Sequence, residues 1–116
     1  YSNYLLKKKG IFFKKNLKKK SLKTLISCSV ALKSSILKKI GLYRNFYWEE
    51  IDLYIRYLKF HNKIKHINDY LYVYRIHNKN MTNSYNAKKK GRDEINDIYK
   101  KEDIRIIDNM LKGYNG

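Results

Sequence analysis

Proline is absent from this chain, glycine occurs five times and cysteine once. With so little glycine, no Gly-rich phosphate-binding loop can be placed. A lone Cys28 rules out a disulfide framework and a thiolate metal site, and its place in the apolar run 25–32 makes it a small buried hydrophobe. No apolar stretch approaches the roughly 18–20 residues that a membrane-spanning helix requires. No secretory signal pattern is present at this N-terminus. Acid is missing from the first 48 residues, which hold twelve lysines and Arg44; the first carboxylate is Glu49.

The 116 residues suit one domain or part of one, and 43% hydrophobic residues are enough for a core. The chain opens on Tyr1, not Met, and reads as a piece of a longer protein. A net charge of +17 attracts polyanions: nucleic acid, anionic lipid or phosphorylated glycan. Lys, Asn, Ile and Tyr together make up 60 of the residues. All four draw on A/T-rich codons, so codon usage alone raises the lysine count and discounts the charge as a sign of function.

The pattern predicts a mixed α/β (α+β) fragment. Residues 1–24 read as a loop leading to a short helix that ends near Leu25. Ile26–Leu32, small and apolar, reads as a buried strand. Ser34 or Ser35 caps a helix over Ile36–Ile40, closed by Gly41. An aromatic connector follows at 42–48. Glu49–Phe60 is a helix, because Ile51, Tyr54, Ile55 and Leu58 recur at i, i+3, i+4 and i+7. Glu49 and Glu50 stand in its first turn, where the helix dipole favours anions. Asp52 and Arg56 form an i, i+4 pair worth a few tenths of a kcal/mol if exposed. Lys63–Ile67 and Tyr70–His77 read as two strands of an antiparallel hairpin turning at Asn68-Asp69, the second alternating strictly. A polar loop spans 78–83. From about Tyr85 the chain is charged, with Ile95, Ile98, Ile106, Ile107, Met110 and Leu111 available to dock a helix. The expected organisation is 1–84 as the principal portion and 85–116 as a charged helical tail.

Taken in order, Ser27–Lys33, Ile40-Gly-Leu-Tyr43, Trp48-Glu-Glu-Ile-Asp-Leu53 with Arg56, Leu71-Tyr-Val-Tyr-Arg-Ile-His77 and Asn80-Met-Thr82 resemble the second half of family 2 glycosyltransferases. The resemblance covers roughly residues 20–85. It implies a partial GT-A fold, the acceptor-side half of the domain, with the sugar-nucleotide half elsewhere. It also implies metal-assisted transfer of a sugar from a nucleotide donor to a glycan or lipid-linked acceptor in surface-polysaccharide assembly. The setting would be cytoplasmic or peripheral at the inner face of the membrane. In that family the acidic pair opening the helix supplies the base that deprotonates the acceptor hydroxyl, which places Glu50 in that role with Glu49 beside it. The family usually has Asp there; Glu carries the carboxylate roughly 1.5 Å farther, about one C–C bond. By the same resemblance Trp48 and Asp52 lie at the acceptor, and Arg75 and His77 lie near the diphosphate or metal. Asp52 and Arg56 also read as structural, Arg56 tethering the helix to nearby backbone. The Asp-x-Asp that holds Mn²⁺ or Mg²⁺ in the family does not occur, so no metal set is complete in this sequence.

Two other readings follow from the charge. A small nucleic-acid-binding protein would use the acid-free lysines 1–39 with Tyr and Phe interleaved for stacking, though Arg/Lys is only 5:22 for base readout. A peripheral membrane module would rest its Lys-rich flank, with Phe12, Phe13 and Leu17, on anionic lipid. His61 and His66 match nothing and are expected at the surface or in the hairpin.

Overall fold

A computed structural model describes residues 1–17, 27–80 and 84–113, with side chains to 109. Its strands are β1 (Ser2–Lys8), β2 (Ile11–Lys15) and β3 (Ile67–Ile76), ordered β2-β1-β3 in one sheet. Its helices are α1 (Ser34–Ile40), α2 (Glu49–Phe60), α3 (Tyr85–Ile98) and α4 (Lys101–Gly113). The class is therefore mixed α and β, with a three-stranded mixed sheet.

Residues 1–17 correct the sequence reading: they form a hairpin, not a loop. Lys9 (φ 48°) and Gly10 (φ 80°) are both left-handed, the geometry of a two-residue turn whose twist matches the strands it joins. Glycine takes the second position at no steric cost. The helix expected to end near Leu25 falls on 18–26, outside the described residues.

The strand expected over Ile26–Leu32 is also overturned. Ser27–Ser29 make a 3-10 turn, closed by the Val30 N–H donating to the Ser27 carbonyl at 3.3 Å. Serine side chains favour such local turns over an extended ladder. Cys28 is exposed rather than buried.

The hairpin expected over 63–77 is replaced by a single strand. β3 runs through Asn68-Asp69 and pairs in parallel with β1, more than sixty residues earlier. Asn3 makes this run possible. Its register against β3 is irregular, and its fully buried side chain absorbs the mismatch. The Asn3 amide donates to the Asn68 carbonyl (2.9 Å) and to Asn68 Oδ1 (3.2 Å). Its Oδ1 accepts from the Leu17 N–H (2.8 Å) and lies 2.8 Å from His66 Nε2. His66, expected at the surface or in the hairpin, is buried, with its ring against Tyr1 at 4.9 Å. From Tyr70 to Ile76 exposure does alternate as the sequence pattern demands.

α1 forms as expected, but Lys33 holds the cap position and neither serine caps it. Gly41 follows at φ 84°, with its N–H donating to the Leu37 carbonyl at 2.9 Å. α2 has the predicted bounds, and Ile51, Tyr54, Ile55 and Leu58 are all buried. Asp52, Leu53 and Tyr57 are buried too, so this helix is enclosed on more than its apolar stripe. It is the axis of the core, with Ile36 of α1, Ile95 of α3, Tyr99 and Ile107 of α4 packed in the same cluster. Each fully buried aliphatic side chain there contributes roughly 1.5–3 kcal/mol. The charged C-terminal stretch consequently supplies part of the core. It is two helices, broken at Tyr99-Lys100, and the Ser84 hydroxyl caps α3 by accepting from the Ala87 N–H at 3.0 Å.

Gly91 explains how α3 docks. A Cβ there would lie 2.5 Å from Trp48 Cδ2, so the indole lies directly on the glycine backbone. Glycine inside a helix costs about 1 kcal/mol relative to alanine, a cost offset here by the close approach. Gly91→Ala is expected to lower stability in urea unfolding by about 1–3 kcal/mol through overpacking. Asn96→Ala, exposed on the same helix, should leave it unchanged or slightly raised. Equal effects from the two would contradict the docking role of Gly91.

Candidate functional site

The aromatic connector 42–48 delivers the chain to the start of α2, and three groups fix its course. Arg56 reaches back from α2 and donates to the carbonyls of Ile40 (2.8 Å), Gly41 (3.2 Å) and Leu42 (2.6 Å). The tether read from the sequence is therefore present. Arg44, within the connector, donates to both oxygens of Asp52. From α3, Glu94 Oε2 accepts the Tyr47 N–H at 2.6 Å, and Lys90 Nζ lies 5.6 Å from the Tyr47 ring centre.

Asp52 is the point on which these contacts converge. Its side chain is fully buried. Arg44 Nε and Arg56 Nε each donate to Oδ2 at 3.0 Å, while the Tyr99 hydroxyl donates to Oδ1 at 2.5 Å. Arg44 also donates to the Tyr99 oxygen at 3.0 Å. Burial pushes the Asp52 carboxyl up, but the hydrogen bonds from Arg44, Tyr99 and Arg56 outweigh it and hold the group below the ordinary aspartate value. Burial, then the bond to Asp52, pushes the Tyr99 hydroxyl up to about 12. The Arg44 guanidinium is raised chiefly by its bond to Asp52. The acceptor contact expected of Asp52 is thus corrected: with no exposed surface and both oxygens engaged, it holds the scaffold.

Glu49 is exposed and Glu50 half-buried at the amino end of α2. Among the described residues no hydrogen bond or ion pair engages either carboxylate. Trp48, half-buried, packs on Gly91. Behind Glu50 stands Tyr54, whose hydroxyl is raised by burial first and then by Tyr43, Glu50 and Cys28. Cys28 also raises the Tyr72 hydroxyl on β3, where Tyr74 adds to the effect and Arg75 opposes it.

Arg75 and His77 stand at and just past the end of β3. They are exposed at the carboxyl end of β3 and line a cavity of about 450 Å³ with Lys7, Lys9, Gly10 and Ile76. Glu50 does not line that cavity; Lys7 and Lys9 of the hairpin are the neighbours of Arg75 and His77 there. Asn80 shapes this rim, accepting the His77 N–H (2.7 Å) and donating to the Arg75 carbonyl (3.2 Å) and the Tyr74 oxygen (3.3 Å). A second cavity, about 370 Å³, is lined by Tyr1, Val30, Leu32, Tyr54, Tyr57 and Ile64 among others. Among the described residues no group of three or more His, Cys, Asp or Glu comes together to hold a metal. Nor, among them, is any helix long and apolar enough to cross a membrane.

Arg44, Tyr99, Gly91 and Glu94 escaped the sequence reading. Arg44 carried the one available signal, as the lone arginine of an otherwise lysine-only, acid-free stretch. Comparison with protein-family models, curated proteins and solved structures finds no match.

Because Asp52 is ionised more readily when folded, folding favours its charged form. Its contribution is complete above the ordinary value of 3.8 and is lost as pH falls through the lower native value. Asp52→Asn should cost about 3–5 kcal/mol at neutral pH, since it leaves Arg44 and Arg56 facing an uncharged partner. Urea unfolding as a function of pH should show the wild type losing stability below 3.8 and the variant changing less over that window. Parallel pH curves would contradict the assignment.

Proposed function

We propose that this chain is the acceptor-side part of a GT-A glycosyltransferase of family 2, with Glu50 as the base that takes the proton of the acceptor hydroxyl. The observation that carries the reading is the half-buried, unengaged Glu50 carboxylate on a helix start held by ion pairs to the buried Asp52. A general base must be free to accept a proton and fixed well enough to meet it, because about 1 Å of misplacement can cost on the order of 100-fold in rate. Glu50 has the freedom; Asp52, two residues along the same turn, supplies the fixity. The order of sequence elements around it supports the same family.

In the reaction, the acceptor oxygen forms a bond to the anomeric carbon of the donor sugar. The bond from that carbon to the diphosphate breaks, the nucleoside diphosphate leaves with the electron pair, and the acceptor proton passes to Glu50. Donor and metal would be held by a part of the enzyme outside these 116 residues. Arg75 and His77, placed beside Lys7 and Lys9, are left out of the proton transfer.

The test joins the chain to a family 2 donor-binding half and supplies a UDP- or GDP-sugar with Mn²⁺. Glu50→Gln should reduce transfer by about 100-fold or more, the scale of a lost general base. Sugar-nucleotide affinity should stay within about twofold, since the base contributes little to donor binding. Unchanged turnover would remove Glu50 from the mechanism, and micromolar binding of a sugar nucleotide to the 116 residues alone would overturn the division into halves.

A further inference from the structure

The β2-β1-β3 sheet carries a feature the transfer reaction does not use. Strand register places Phe12, Lys7 and Arg75 side by side across the three strands, and Lys14, Leu5 and Val73 in the next row of the same face. Lys7 Nζ lies 5.1 Å from the Phe12 ring centre. This face is open: Phe12 is 52% and Val73 41% exposed. On the reverse face Ile11, at the hairpin tip, is 61% exposed and Phe13 is 48% exposed.

Lys7 and Arg75 are paired neighbours on parallel strands, an arrangement that like charges disfavour. With Lys9 they line the cavity at this end of the sheet. Among the described residues no salt bridge engages Lys7, Lys9, Lys14 or Arg75. The first 48 residues contain no acid, and Asp69, the one acid of β3, lies toward the opposite end of that strand. An external anion at this end of the sheet would relieve the repulsion.

We propose that this end of the sheet docks on an anionic phospholipid surface: a headgroup phosphate enters the cavity of Lys7, Lys9, Arg75 and His77, and Ile11 and Phe12 enter the acyl boundary. Charge complementarity selects the occupant. A duplex or single-stranded nucleic acid would satisfy the cations but leave Ile11 in water. A buried protein partner would have to desolvate at least four cations. A lipid interface accepts both at once, with apolar side chains below the headgroups and ammonium groups among them. The inference stands independently of the glycosyltransferase reading.

Vesicle co-sedimentation of the 116-residue chain tests it, using phosphatidylcholine with and without phosphatidylglycerol. Binding is expected only with phosphatidylglycerol and should weaken as salt is raised. The pair Lys7→Ala/Lys9→Ala should weaken partitioning about 30-fold, from roughly fivefold per cation at an anionic surface. Phe12→Ser should weaken it about tenfold by removing the inserted ring. Lys88→Ala/Lys101→Ala, on α3 and α4, should change it by less than about twofold, because those lysines stand off the proposed surface. Circular dichroism confirms that each variant is folded. A Phe12→Trp variant should show an emission blue shift on anionic vesicles beyond that of the wild type. Equal binding to neutral vesicles, equal losses from the two lysine pairs, or no blue shift would overturn the proposal. So would full competition by soluble glycerol phosphate, which reduces the surface to a free-phosphate pocket, or tighter binding of single-stranded RNA at equal phosphate concentration.

Discussion

Asp52 has no contact with water, and its two oxygens are shared by Arg44 from the connector, Arg56 one turn along α2 and Tyr99 from the junction of α3 and α4. A charge buried without partners would cost several kcal/mol, so each partner is obliged to be where it is. Arg56 uses its remaining donors on three connector carbonyls, which makes the carboxylate the indirect anchor of 40–42 as well. The position of Glu50, two residues from Asp52, follows from the same constraint. Its carboxylate, like that of Glu49 beside it, takes no part in the network.

The sheet rests on a different polar centre. Asn3 substitutes its side chain for the ladder bonds that the irregular β1–β3 register omits, and it ties in Leu17 and His66. The two centres do contrasting work. Asp52 secures a helix inside the core, whereas Asn3 secures only the base of a sheet whose far end is open and cationic. That division leaves the far end available for an external anion without disturbing the helical packing.

How far the sequence disclosed this arrangement depends on the range of each interaction. α2 was legible to the residue because its information is local: an acidic first turn and apolar side chains at helical spacing. Gly41 and the Arg56 tether were legible for the same reason. The β1–β2 hairpin was hidden because Lys9-Gly10 lacks the Asn-Gly signal and because Leu5 and Leu6, adjacent and both apolar, break the alternation. β3 was seen, but its partner was not: an Asn-Asp turn was the nearest local solution, while the actual partner lies more than sixty residues away. The Asp52–Arg56 pair was recognised and undervalued, since nothing local announces that Arg44 and Tyr99 will close over it. Arg75 and His77 were expected near the diphosphate or metal, and their company of Lys7 and Lys9 was hidden because it depends on the same non-local strand pairing.

The most direct measurement is the pH titration of the Asp52 carboxyl carbon by NMR in the intact chain. The account predicts a midpoint below the ordinary aspartate value of 3.8, because three donors favour the ionised form more than burial disfavours it. A midpoint at or above 3.8 would mean that Asp52 is not held by Arg44, Arg56 and Tyr99, and the mount for Glu50 would lose its foundation.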